Sequence, residues 1–141
     1  MPRVFSFTLL ILTLAVNLPA QAEIVVIINP GNPLMSLTRE QLIDIYMGRS
    51  THFPGGRATW PIDLPDDSPV RSRYYEKLVN KSVTQINAFW ARLMFSGRAT
   101  PPHVLTDPLS VIQQVAHHPD AIAYIDSKDV TDKVKVVYRL P

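Results

Sequence analysis

Ser68, Arg71 and Arg73 are the residues whose types and spacing most directly suggest chemistry. They follow residues 60–64 (Trp-Pro-Ile-Asp-Leu), which have the composition of a short strand, and a turn at Pro65-Asp66-Asp67. Ser68 suits the N-cap of a helix, because its hydroxyl accepts a bond from an otherwise unpaired backbone N–H. Pro69 suits the first helical position, where a missing N–H costs little. A strand feeding a helix N-terminus offers free N–H groups and the positive end of the helix dipole to an anion. The chemistry would be non-covalent capture of a small oxyanion, with Ser68 and Arg71 as its ligands. Asp66 and Asp67 put negative charge at the same helix end, and Pro69 removes one donor. The same stretch therefore also reads as a plain capped helix behind a solvated acidic turn.

Little else in the chain suggests covalent chemistry. There is no cysteine, so neither a thiol nucleophile nor a metal–thiolate site is available. His52, His103, His117 and His118 are scattered over expected loops and helix ends. No nucleophile elbow and no metal-binding histidine pair accompanies them. The chain is therefore expected not to be an enzyme and to carry neither cofactor nor metal.

The elements that would position Ser68 and Arg71 begin after a leader. Arg3 precedes an apolar stretch over residues 4–18, and Ala20-Gln21-Ala22 has the form of a cleavage signal. Residues 1–22 are expected to be a cleavable signal peptide, cut after Ala22. The apolar stretch is shorter than the roughly 20 residues a membrane-spanning helix needs. Residues 23–141 then form one domain. Lysine and arginine (14) nearly balance aspartate and glutamate (12), which points away from nucleic acid as a partner. With no disulfide available, stability must come from packing.

Residues 23–29 (Glu-Ile-Val-Val-Ile-Ile-Asn) show no polar alternation and read as a strand buried on both faces. Thr38 caps a following helix, with Gln41 completing a capping box, and Gly48 ends it. The helix from Pro69 carries Val70, Tyr74 and Leu78 on one face. Ser82 and Gln85 open another helix, with Ile86, Phe89, Trp90 and Leu93 as its apolar stripe. Thr106 and Asp107 cap a further helix with Pro108 at its first turn, and Leu109, Ile112, Val115 and Ala116 are expected to be buried. Residues 121–125 (Ala-Ile-Ala-Tyr-Ile) form another buried strand. Residues 134–138 form the last strand, with 139–141 as a frayed end. Strands alternating with helices predict a three-layer α/β sandwich with a mixed sheet.

Ser36-Leu37-Thr38-Arg39-Glu40-Gln41-Leu42 followed by Ile45-Tyr46-Met47-Gly48-Arg49 resembles a segment of the periplasmic phosphate-binding proteins of ABC transporters. Ala121-Ile122-Ala123-Tyr124-Ile125 resembles their Gly-Ala-Ile-Gly-Tyr-Val strand. Trp60 and Ile62 sit where that family has a Trp and its next strand. Asp67-Ser68-Pro69 falls where the family carries a Ser-Gly-Thr phosphate loop. The resemblance implies one lobe of a type II periplasmic binding protein, with the second lobe missing. Within the loop only Ser68 carries over: Pro69 and Val70 replace the Gly and Thr, and Leu64 stands where the family has an Arg.

The resemblance implies periplasmic binding of phosphate or a similar small oxyanion, in connection with phosphate ABC transport. Ser68 and Arg71 would form one wall, and Arg98 and Thr100, on the loop 98–102, the opposite wall. A homodimer or another protein would supply what the absent lobe supplies in the family. The alternative is an interaction module that has lost its ligand and docks on an envelope sensor, channel or transporter.

Overall fold

A computed structural model of the chain describes residues 23–141 and the pair 15–16. That pair apart, the expected leader and its cleavage point lie outside the described residues. The elements run β1 (Ile24–Ile28), α1 (Arg39–Tyr46), β2 (Trp60–Asp63), α2 (Pro69–Val79), α3 (Val83–Phe95), β3 (His103–Val104), α4 (Pro108–His117), β4 (Ala121–Asp126), a 3₁₀ turn (Ser127–Asp129) and β5 (Lys135–Leu140). The strands form one sheet in the order β3-β2-β4-β1-β5.

Every residue of β1 is fully buried. Side chains alternate between the faces of a strand, so the sheet is covered on both sides there. Each aliphatic side chain so buried contributes roughly 1.5–3 kcal/mol, which makes β1 the main apolar anchor. It pairs antiparallel with both β4 and β5. β2 runs parallel to β4 and to β3. The sheet is mixed and forms the middle layer of an α/β sandwich, as the alternation of strands and helices predicted.

The caps follow the sequence. Thr38 and Gln41 form a reciprocal capping box on α1, and Ser82 and Gln85 do the same on α3. The Ser68 hydroxyl accepts from Arg71 N at the start of α2, and Asp107 accepts from Ser110 N at the start of α4. Asn80 ends α2 in the left-handed conformation, which asparagine tolerates better than most residues.

Four expectations are corrected. β3 had no counterpart in the sequence reading; it is a two-residue edge strand, too short for a periodic signal. The chain end is not frayed, because β5 continues to Leu140, which pairs with Ile24 and is buried. Leu109 is exposed, and Val111 takes its place on the buried face of α4 beside Ile112 and Val115. The buried face of α2 includes Arg71 and Tyr75 as well as Tyr74 and Leu78, and Arg71 is there because carboxylates meet it from outside the helix.

Candidate functional site

The head of α2 is built around Asp63, the last residue of β2. It is 3% exposed, a position where a carboxylate must find partners. It accepts from Arg71 Nε at 3.2 Å, from the Tyr75 hydroxyl at 2.7 Å and from Leu64 N at 2.8 Å. The Tyr124 hydroxyl donates to it as well. Arg71 completes its fork by donating to Asp66 at 2.8 Å and to Asn87 of α3 at 3.0 Å. The pair is enclosed by aromatic rings. Tyr74 of α2 stacks on Tyr124 of β4 with centroids 3.7 Å apart, and Tyr46 of α1 meets both edge-on.

Burial pushes the hydroxyl pKa values of Tyr46, Tyr74, Tyr75 and Tyr124 well above the usual tyrosine value, and the Asp63 charge pushes the same way. For Arg71, burial pulls the guanidinium down, but Asp63 and the two tyrosines beside it outweigh that and leave its pKa raised. The arrangement is a closed ion pair that ties α2 and α3 to β2. Each nitrogen of the Arg71 fork meets a protein oxygen.

A second place has the opposite character. An open groove of about 680 Å³ lies at the other end of β2. Its walls are Ile45 and Gly48 from the end of α1, Ser50, Thr51 and Thr59 from the loop before β2, Trp60 and Pro61 of β2, Trp90 and Met94 of α3, and the loop from Gly97 to His103. Gly48 is required there. Its φ is 72°, and a Cβ would lie 2.8 Å from Trp90 Cη2. Trp60 is held by two histidines: His118 stacks on it at 4.5 Å and His103 lies tilted against it at 4.8 Å.

No aspartate or glutamate lines this groove. Arg98 is exposed in it, and among the described residues no carboxylate pairs with Arg98. Ser50 and Thr51 turn their hydroxyls to His52. Thr59 and Thr100 make no side-chain hydrogen bond among the described residues. The groove thus offers one fixed positive charge and two free hydroxyls in a mainly apolar wall. That composition suits binding of an anion.

The four residues singled out from the sequence do not come together. Ser68 and Arg71 stand beyond the Asp63 end of β2, whereas Arg98 and Thr100 line the groove at its Trp60 end. The parallel pairing of β3 with β2 enforces this, because the 98–102 loop enters β3 from the Trp60 end. Ser68 acts as the helix cap and Arg71 as the core of the ion pair. Arg73 turns to Asp126 at 3.6 Å. His103 and His118 meet at Trp60, but among the described residues no group of three or more metal-ligating side chains occurs.

Sequence reasoning missed Asp63, Tyr124, Trp90, Thr59 and His103. Asp63 carried a signal, since a carboxylate inside an otherwise apolar strand demands a partner. The groove residues carried none, because they come from five separate segments.

No protein-family model matches the chain, and no curated protein matches it. Solved structures do share its fold. An ABC-type phosphate transport receptor from Vibrio cholerae superposes with a TM-score of 0.67 at 20% identity, over 82% of this chain and 45% of that one. A protein from Clostridium perfringens described as a phosphate ABC transporter substrate-binding protein, with phosphate bound, gives 0.66 at 24% identity, over 82% and 44%. PstS from Borrelia burgdorferi gives 0.63 at 18% identity, over 82% and 46%. This chain spans less than half the length of each. It has the fold of one part of these proteins, the single-lobe architecture that the sequence resemblance implied.

Proposed function

We propose that this chain is a periplasmic solute-binding-like protein that holds a small oxyanion in the groove between Trp60, Arg98 and Thr100. The observation that carries this reading is that, among the described residues, Arg98 has no ion-pair partner and no carboxylate lines its groove. A guanidinium offers forked donors that match phosphate or carboxylate oxygens. The phosphate named for the neighbours makes inorganic phosphate the first probe, and a link to phosphate uptake through a membrane transporter belongs to the same proposal. So does export by a signal peptide over residues 1–22, with residues 23–141 as the working domain and a non-catalytic role. Recovery from a periplasmic extract of a chain beginning at Glu23 is the expected result for that part; retention of the leader would contradict it.

Ser68 and Arg71, the other half of the oxyanion site read from the sequence, have structural duties that compete with ligand binding. A charge-assisted hydrogen bond is worth about 1.5–3 kcal/mol when shielded, and an open groove lowers that through solvent screening. Arg98→Ala should therefore weaken oxyanion binding roughly tenfold, and Ser68→Ala should leave it unchanged. Titration calorimetry of the purified protein with phosphate, sulfate and a neutral control checks this. Absence of saturable heat with any anion, from folded protein, would overturn the reading.

The saturation of Arg71 favours a second reading. With the head of α2 closed from within, the chain would serve as a docking module on an envelope sensor, channel or transporter. Its test is co-purification from envelope extract, with the anion titration silent. A homodimer that supplies a second wall fits the first reading only, and would show as anion-dependent dimerisation in sedimentation.

A further inference from the structure

We propose that the ligand of the groove is an organic anion, a single phosphate or carboxylate group carried on an apolar or aromatic body. This rests on the reading that the groove is the anion seat, and it narrows the class of ligand. Three features of the groove point the same way.

The first is size. A volume of about 680 Å³ lies inside the range of pockets that enclose small organic ligands. A tetrahedral oxyanion has the bulk of only a few water molecules and would leave most of this space filled with solvent. The second is the wall. Trp60, Trp90, Met94, Pro101 and Pro102 present mostly carbon to the groove, and Met94 is 55% exposed there. A methionine surface left to water at a concave site favours an apolar partner. The third is charge. Among the described residues Arg98 is the one fixed cation in the lining, enough to clamp one anionic group through its fork. The absence of carboxylates removes repulsion for that group, and the absence of a second arginine or lysine leaves nothing for a further one.

The head group would sit at Arg98 with Thr100 or Thr59 donating a hydroxyl. The body would lie along Trp60, Met94 and the two prolines. Inorganic phosphate would satisfy the first contact and leave the second to water, so it should bind more weakly than the same group bearing a ring.

Calorimetric titrations of the purified protein with phenyl phosphate, phenylacetate, inorganic phosphate and benzyl alcohol test this. At least one aromatic anion should bind about tenfold tighter than inorganic phosphate, and the tighter of the two names the head group. Benzyl alcohol should bind at least tenfold more weakly than that anion. Arg98→Ala should weaken all anions, while Met94→Ser, at an exposed position, should weaken only the aromatic ones. Inorganic phosphate binding as tightly as both aromatic anions, with dependence on Arg98, would keep the anion seat and overturn the organic class. Benzyl alcohol binding as tightly as the anions and insensitive to Arg98→Ala would overturn the anionic head group. Silence of every anion in a folded protein would remove the seat and this inference together.

Discussion

Asp63 and Arg71 show how a residue's role follows from its partners. Read alone, Arg71 stands one turn into a helix behind a serine cap, a fair place for an anion ligand. In the folded chain its carboxylate partners arrive from β2 and the turn, and its amide partner from α3. Ser68 was legible as a cap because capping is local. Arg71 was not, because its partner Asn87 is 16 residues away. Removing one member of a buried ion pair leaves the other uncompensated, at a cost of about 3–5 kcal/mol. The lower end applies here, because Asp66 and Asn87 still hold Arg71. Asp63→Ala should lower unfolding free energy by about 3 kcal/mol, seen as a reduced urea midpoint at unchanged slope. A variant as stable as the parent would show that the pair is not structural.

At the scale of elements, the caps give the clearest prediction. The Asp107 carboxylate accepts the backbone N–H and the hydroxyl of Ser110, and these bonds hold its pKa below the ordinary carboxylate value. A lowered folded value means the cap supports α4 above the unfolded carboxylate pKa. That support is lost as pH falls through the folded value. Asp107→Ala should lower the melting temperature at neutral pH, with the gap to the parent closing under acid. Thermal melts at neutral and acid pH read this directly. A constant gap would assign the effect to something other than the ionised cap. The long apolar period of α3 and the continuous β-branched run of β1 were legible in sequence. β3 was not, since two residues after Pro101-Pro102 have no period. Leu109 misled because helical spacing allows either Leu109 or Val111 on one face, and packing against β4 decides between them.

For the whole molecule, the sequence pattern led to the α/β sandwich, because the buried strands and capped helices report fold directly, and the family resemblance led to the single lobe. Of the groove, Arg98 and Thr100 were named from the sequence, while Thr59, Trp90 and His103 join them only once the separate segments meet. The aromatic cluster joining α1, α2 and β4 sets a limit on the whole fold at high pH. Tyr46, Tyr74, Tyr75 and Tyr124 have raised pKa values in the folded state, while the unfolded chain ionises near 10. Protons therefore leave the unfolded state first as pH rises. The stability these residues contribute is complete below about 10 and is lost progressively above it. Alkaline titration should show tyrosinate absorbance rising together with loss of helical circular dichroism. Full tyrosinate formation with the fold intact would contradict a closed cluster.

The most direct test of the account is an amide proton–nitrogen NMR titration of the isotopically labelled protein with phosphate and with phenyl phosphate. The account predicts saturable shifts at Thr59, Trp60, Arg98, Thr100 and His103, with Ser68 to Ser72 unmoved. Shifts confined to the head of α2 would move the anion to the place where Arg71 is already paired, and would contradict the groove as the binding site.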